Sequence, residues 1–150
     1  MSVVAARVYS DRIEVAADSI IILGDMKRTG TFSKLEQVND MIIGSVGLAE
    51  EISLMWQFAK THKPESATER DVREFMIEFM KWKKELCGNS DIENDYIIAY
   101  QGRLFDVEGM FVNPVNDYVA IGAGMYFATA ALYLGQSPQA AVKVACDLNY

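Results

Sequence analysis

The chain begins Met1-Ser2. A small residue at position 2 permits removal of Met1, which leaves the Ser2 hydroxyl beside a free α-amine. An α-amine titrates at about pH 8, so it can accept a proton near neutrality. A terminal hydroxyl beside its own amine is a compact nucleophile-plus-base unit suited to acyl transfer. Many proteins begin in this way, so the pair needs more before it can work. It needs a cation to tune the amine and a hydrogen-bond donor to hold the oxyanion.

The other residues that could do chemistry have plainer readings. Gly122-Ala123-Gly124 lies at a strand-to-helix junction, where glycines can cradle phosphate. Phe127 holds the place of a third fingerprint glycine, so close backbone approach explains the pair better than a nucleotide does. Glu50, Glu51, Glu69, Asp71, Glu74 and Glu78 read as a solvated helical face rather than as paired catalytic carboxylates. No Gly-x-Ser-x-Gly elbow and no Cys-x-x-Cys pair occurs. Cys87 and Cys146 are too few for a disulfide framework. The single histidine, His62, excludes a metal site built on several His ligands and reads as a solvated helix exit. No metal or cofactor is expected.

Composition sets the outer bounds. A net charge of −7 argues against nucleic acid, because phosphate binding needs clustered Lys and Arg, and the run Lys81, Lys83, Lys84 lies among acids. No apolar run approaches the roughly 18 residues that span a bilayer, and the N-terminus lacks a signal-peptide pattern. Cytoplasm is therefore the expected compartment. The 150 residues, 51% of them hydrophobic, suit one domain with a sizeable core.

The elements that would position Ser2 follow from periodicity. Residues 3–8 and 12–17 read as strands joined by a Ser10-Asp11 turn, and residues 20–23 as a short apolar strand closed by Gly24-Asp25. Residues 35–38 and 41–43 flank Asn39-Asp40, a hairpin signal. Gly44 and Gly47 then punctuate the chain. Leu48, Ile52, Met55 and Ala59 share one helical face. Val72, Phe75, Phe79, Trp82 and Leu86 share another, widened by Met76 and Met80. Thr68 to Asp71 reads as a capping box and Gly88 as a helix stop. Residues 95–100, 103–105 and 118–121 read as strands. A helix from near Tyr126 to Gly135 follows, and then one with Ser137 as N-cap and Pro138 at its first position. Strands, two helices, strands, two helices predicts an α+β, four-layer αββα sandwich of two antiparallel sheets.

The segments Ser2-Val3-Val4-Ala5, Val15-Ala16-Ala17-Asp18, Leu23-Gly24 and Ser33-Lys34-Leu35 resemble the start of proteasome β-type subunits, above all HslV-like peptidases. Asp117 to Gly124, with the Ala-rich helix after it, resembles a second block of that N-terminal-nucleophile (Ntn) hydrolase family. The two blocks cover both ends of the chain, and the helical middle matches only in pattern. The resemblance implies that Ser2 is the nucleophile and its α-amine the general base. It implies that Lys34 lowers the amine pKa and supports the hydroxyl, that Asp18 pairs with Lys34, and that a turn at Gly44-Ser45-Val46-Gly47 offers the Gly44 amide to the oxyanion. It further implies a homo-oligomeric ring, an ATPase unfoldase partner and polypeptide substrates.

Three departures accompany it. Serine stands for the family's threonine and lacks the methyl group that restricts the rotamer. Ala123 stands where the family often has a serine. The chain ends at Tyr150, so a single domain over 1–150 without the family's last strand and tail is expected. A catalytically inactive ring subunit and a small-molecule Ntn amidase are the alternatives to the peptidase. The surface of the second helix around Met76, Met80 and Trp82 is expected to be buried between subunits.

Overall fold

The computed structural model describes residues 2–23, 26–29 and 33–149. Met1, Gly24, Asp25 and Tyr150, on which some sequence expectations rest, lie outside them. Among the described residues the chain forms β1 (Val4–Val8), β2 (Ile13–Ala17), β3 (Ile20–Leu23), β4 (Met26–Thr29), β5 (Leu35–Val38) and β6 (Met41–Val46). Then come α1 (Ala49–Ala59), α2 (Glu69–Cys87), β7 (Asp95–Tyr100), β8 (Arg103–Glu108), β9 (Phe111–Val115), β10 (Tyr118–Ile121), α3 (Met125–Tyr133) and α4 (Pro138–Leu148).

Two antiparallel sheets stack face to face. One has the order β10-β1-β2 and the other β5-β6-β7-β8-β9, while β3 and β4 form a separate hairpin. Side chains of a strand alternate between faces, so a strand buried on both reads as an unbroken apolar run. This is why residues 3–8 and 95–100 look alike in the sequence. Val3 and Ala5 pack against Ala128, Leu132, Ala141 and Ala145 of α3 and α4. Val4 and Ala6 turn inward to meet Val46, Ile97, Ala99, Leu104 and Ile121 between the sheets. On β7, Tyr96, Ile98 and Tyr100 face the other way, onto Met55, Phe58, Phe75, Met76 and Phe79 of α1 and α2. The result is helices, sheet, sheet, helices, as the element order predicts.

Local signals place the ends. Asn39 and Asp40 both adopt left-handed backbone (φ 50° and 67°), the conformation of a two-residue hairpin turn. Thr68 accepts a hydrogen bond from the Asp71 amide and Ser137 accepts one from the Ala140 amide, so both predicted caps form. The hairpin partner β4 and the edge strand β9 are not evident in the sequence. Pro114 lies in β9, where its missing N–H is tolerated because β9 has a neighbour on one side only.

Several expectations are corrected by burial. Leu86 is 55% exposed and Leu48 caps α1 rather than joining its apolar face. Met76 is 0% exposed, so it belongs to the core and cannot form a subunit surface. Trp82 packs partly onto the same core, against Phe58 and Phe79. His62 is half-buried rather than solvated, because its ring stacks on Phe58 at 4.1 Å and its Nδ1 lies 3.1 Å from the Phe58 carbonyl.

Candidate functional site

Ser2 stands just before β1, at one end of the gap between the sheets. Asp18 follows β2 and Lys34 precedes β5. Pairing of β1 with β2 continues one step past the strands. The Asp18 amide donates to the Val3 carbonyl (3.1 Å) and the Val3 amide donates to Asp18 Oδ1 (2.7 Å). That exchange fixes the carboxylate and aims Oδ2 away from the strand. Lys34 Nζ donates to Oδ2 at 2.8 Å and to Ser2 Oγ at 3.0 Å. Lys34 is 4% exposed. A buried ammonium is tolerated only beside a counter-charge and acceptors, and both are present. The backbone of Lys34 is held as well, since its carbonyl accepts from the Ser45 amide at 2.9 Å. One residue earlier, the Trp56 indole donates to the Ser33 carbonyl.

The second wall comes from the segment after β10. The Gly124 amide donates to the Ser2 carbonyl at 3.1 Å. Gly122 has φ +97°, and a Cβ there would lie 2.3 Å from the Ser2 carbonyl oxygen. Only glycine fits. The two glycines thus serve close backbone approach to Ser2, the reading preferred from the sequence. Ala123 between them is exposed.

Gly44 lies within a strand rather than in the expected turn. β6 runs through Val46, with Gly44 opposite Leu35 on one side and Ile97 on the other. Successive amides of a strand point to opposite neighbours. The Ser45 amide points to Lys34, so the Gly44 amide points to β7 and is taken up in that ladder. The first backbone amide beyond the strand belongs to Gly47. Val46 beside it reaches the Ser2 wall, with Cγ1 3.0 Å from where a Gly122 Cβ would stand.

Residues that periodicity misread surround this corner. Glu51 is 2% exposed, not part of a solvated face, and it pairs with the buried Lys83 at 3.3 Å. The signal was present in both cases. Lys83 stands four residues after Phe79 and seven after Met76, on the apolar stripe of α2, and Glu51 stands four before Met55 and seven before Phe58 on α1. Tyr96 completes the cluster; burial and then the Glu51 charge hold its phenol protonated, far above its ordinary value. The exposed acids behave as expected, with Glu69 pairing Arg73 on the surface.

Cys146 on α4 lies close enough to feel the charges of Asp18 and Lys34. Burial, and then the Asp18 charge, push its thiol up, which holds it in the protonated form. Asp95 and Asp106 are also raised, chiefly by burial and then by neighbouring acids. No group of three or more metal-ligating side chains occurs among the described residues, and no helix among them is long and apolar enough to cross a membrane.

No protein-family model and no curated relative matches the sequence. Solved structures do. Thiobacillus denitrificans BPH superposes with a TM-score of 0.83 at 20% identity, over 98% of this chain and 90% of that one. The same protein in complex with Epoxomicin gives 0.82 at 20% identity, over 95% and 86%. Eukaryotic HslV from Trypanosoma brucei gives 0.71 at 21% identity, over 98% and 91%. The fold is therefore that of HslV-like, proteasome-type structures, as the resemblance in the sequence implies.

Proposed function

We propose that this chain is the peptidase subunit of an HslV-like assembly and that Ser2, freed by loss of Met1, is its nucleophile. One observation carries the reading: Lys34 Nζ stands between Asp18 Oδ2 and Ser2 Oγ, at 2.8 and 3.0 Å. In this scheme the free amine takes the Ser2 proton as Oγ adds to the carbonyl carbon of a peptide bond. The same proton passes to the departing amine as the C–N bond breaks, leaving an ester on Oγ. Water, deprotonated by the amine, then attacks the ester and releases the acid.

The Lys34 ammonium stabilises negative charge developing on Oγ and disfavours protonation of the α-amine beside it, which suits that amine to act as a base. Asp18 keeps Lys34 aimed. The oxyanion donor in this reading is the amide of Gly47, which follows the strand that ends beside Ser2. Polypeptides are the substrates, the working form is a homo-oligomeric ring, and an unfoldase ring feeds it. Ala123, exposed between the two glycines and without a hydroxyl, favours a second reading in which the same fold serves as a catalytically silent ring subunit.

Intact mass should show loss of Met1, since a peptide-bonded nitrogen has no basic lone pair. A peptide vinyl sulfone should then label Ser2 and no other serine, and Ser2→Ala should abolish peptide cleavage. Retention of Met1 in the assembled protein, or full activity in Ser2→Ala, would leave the silent-subunit reading in its place.

A further inference from the structure

Behind the corner that follows β6 lies a second buried polar network. Glu51 accepts from four donors: Lys83 Nζ (3.3 Å), the Glu93 amide (2.9 Å), the Asn94 amide (3.0 Å) and the Tyr96 hydroxyl (2.7 Å). Asn94, 1% exposed, is thereby pinned, and its side chain grips Leu48 on both sides, at the peptide that enters it and at the peptide that leaves it. Oδ1 accepts from the Leu48 amide at 2.7 Å, while Nδ2 donates to the Leu48 carbonyl at 2.9 Å and to Ser45 Oγ at 3.4 Å. Gly47 lies against the same amide group with φ +126°, where a Cβ would sit 2.2 Å from Asn94 Oδ1.

A purely structural role would not need this chemistry. An apolar cluster of equal volume commonly stabilises a core as well as a buried ion pair does. What aimed hydrogen bonds add is direction: they set the orientation of a particular peptide. The residues anchored here are Ser45 and Leu48, and the peptide that carries the Gly47 N–H lies between them. Its neighbour Val46 touches the wall holding Ser2. We propose that Asn94, held by Glu51, Lys83 and Tyr96, is a positioning residue that aims the Gly47 amide at the oxyanion. The inference rests on the Ser2 reading above and extends it to a group remote from the reacting atoms.

Two probes separate aim from general integrity in the full-length protein lacking Met1. A peptide aldehyde takes Ser2 Oγ on its carbonyl carbon, and the resulting hemiacetal oxygen needs the donor. A peptide vinyl sulfone takes Oγ on its β-carbon and a proton on its α-carbon, and forms no oxyanion on a carbonyl. Asn94→Ala should weaken aldehyde inhibition by about 10- to 100-fold while the vinyl sulfone labelling rate stays within about threefold. If Asn94→Ala does not fold, Asn94→Asp keeps the acceptor for Leu48 and loses the donor, and should show the same split on a smaller scale. Equal losses with both probes, or no loss with either, overturn the inference while leaving Ser2 labelling intact. A parent protein that neither probe modifies at Ser2 overturns the inference together with the reading it rests on.

Discussion

Among the described residues two lysine–carboxylate pairs are buried, and they end differently. Lys34–Asp18 closes at 2.8 Å with side chains 5% and 1% exposed, and Lys83–Glu51 at 3.3 Å with side chains 8% and 2% exposed. Beyond its carboxylate, Lys34 reaches a serine hydroxyl. Beyond its own, Lys83 reaches the backbone carbonyl of Asp91, and Glu51 is occupied by two backbone amides and a phenol. Depth of burial therefore does not distinguish a pair that could do chemistry from one that orders structure. The distinguishing feature is the group at the end of the chain of hydrogen bonds: a hydroxyl that can become a nucleophile, or peptide groups that cannot.

The sharpest way to break the comparison is to remove each lysine in turn. Lys34→Ala should lower kcat/KM for a peptide substrate by at least about 100-fold, because about 3 kcal/mol of transition-state stabilisation goes with it. Lys83→Ala leaves Glu51 buried without its cation and should cost about 3–5 kcal/mol of stability in urea unfolding. The folded fraction of that variant should still be labelled at Ser2 by a vinyl sulfone. If Lys83→Ala silences labelling as completely as Lys34→Ala does, the two pairs do not differ in kind.

Gly122→Ala tests the wall rather than the charges. The added methyl meets the Ser2 carbonyl, in a backbone conformation that alanine rarely adopts. A stability loss of about 1–3 kcal/mol is expected from strain, with labelling of Ser2 slowed by at least about tenfold. Labelling at the parental rate would show that the hydroxyl does not depend on that contact.

The smallest expected effect sharpens the contrast by supplying acids that have no lysine. Burial, then the charges of Asp95 and Glu108, raises Asp106. Its folded value stands above its unfolded one, so the folded chain binds that proton more tightly. Stability is then lost as pH rises from the unfolded value through the folded one. Asp106→Asn should therefore be more stable than the parent at neutral pH, and its melting temperature should fall less between about pH 4 and pH 7. An unchanged pH profile would mean that Asp106 is as well solvated as a surface acid.

What the sequence determined by itself is local or periodic. Apolar β-rich runs marked β1 and β7, alternation marked β2, the pair Asn39-Asp40 marked a hairpin turn, and Thr68 and Ser137 marked helix starts. Each signal needs only neighbours along the chain. Ser2, Asp18 and Lys34 were legible through family resemblance, and the structure brings their side chains within hydrogen-bonding distance. Tertiary structure alone decided the rest. Glu51 and Lys83 look like any charged helix residues until α1 and α2 are laid against the start of β7, because burying a charge depends on partners 32 and more residues away. The resemblance in the sequence put the donor at Gly44, within a turn that runs to Gly47. Strand register turns the Gly44 amide into the β7 ladder and leaves Gly47 as the first amide past the strand, since the direction of an N–H is a property of pairing and not of residue type.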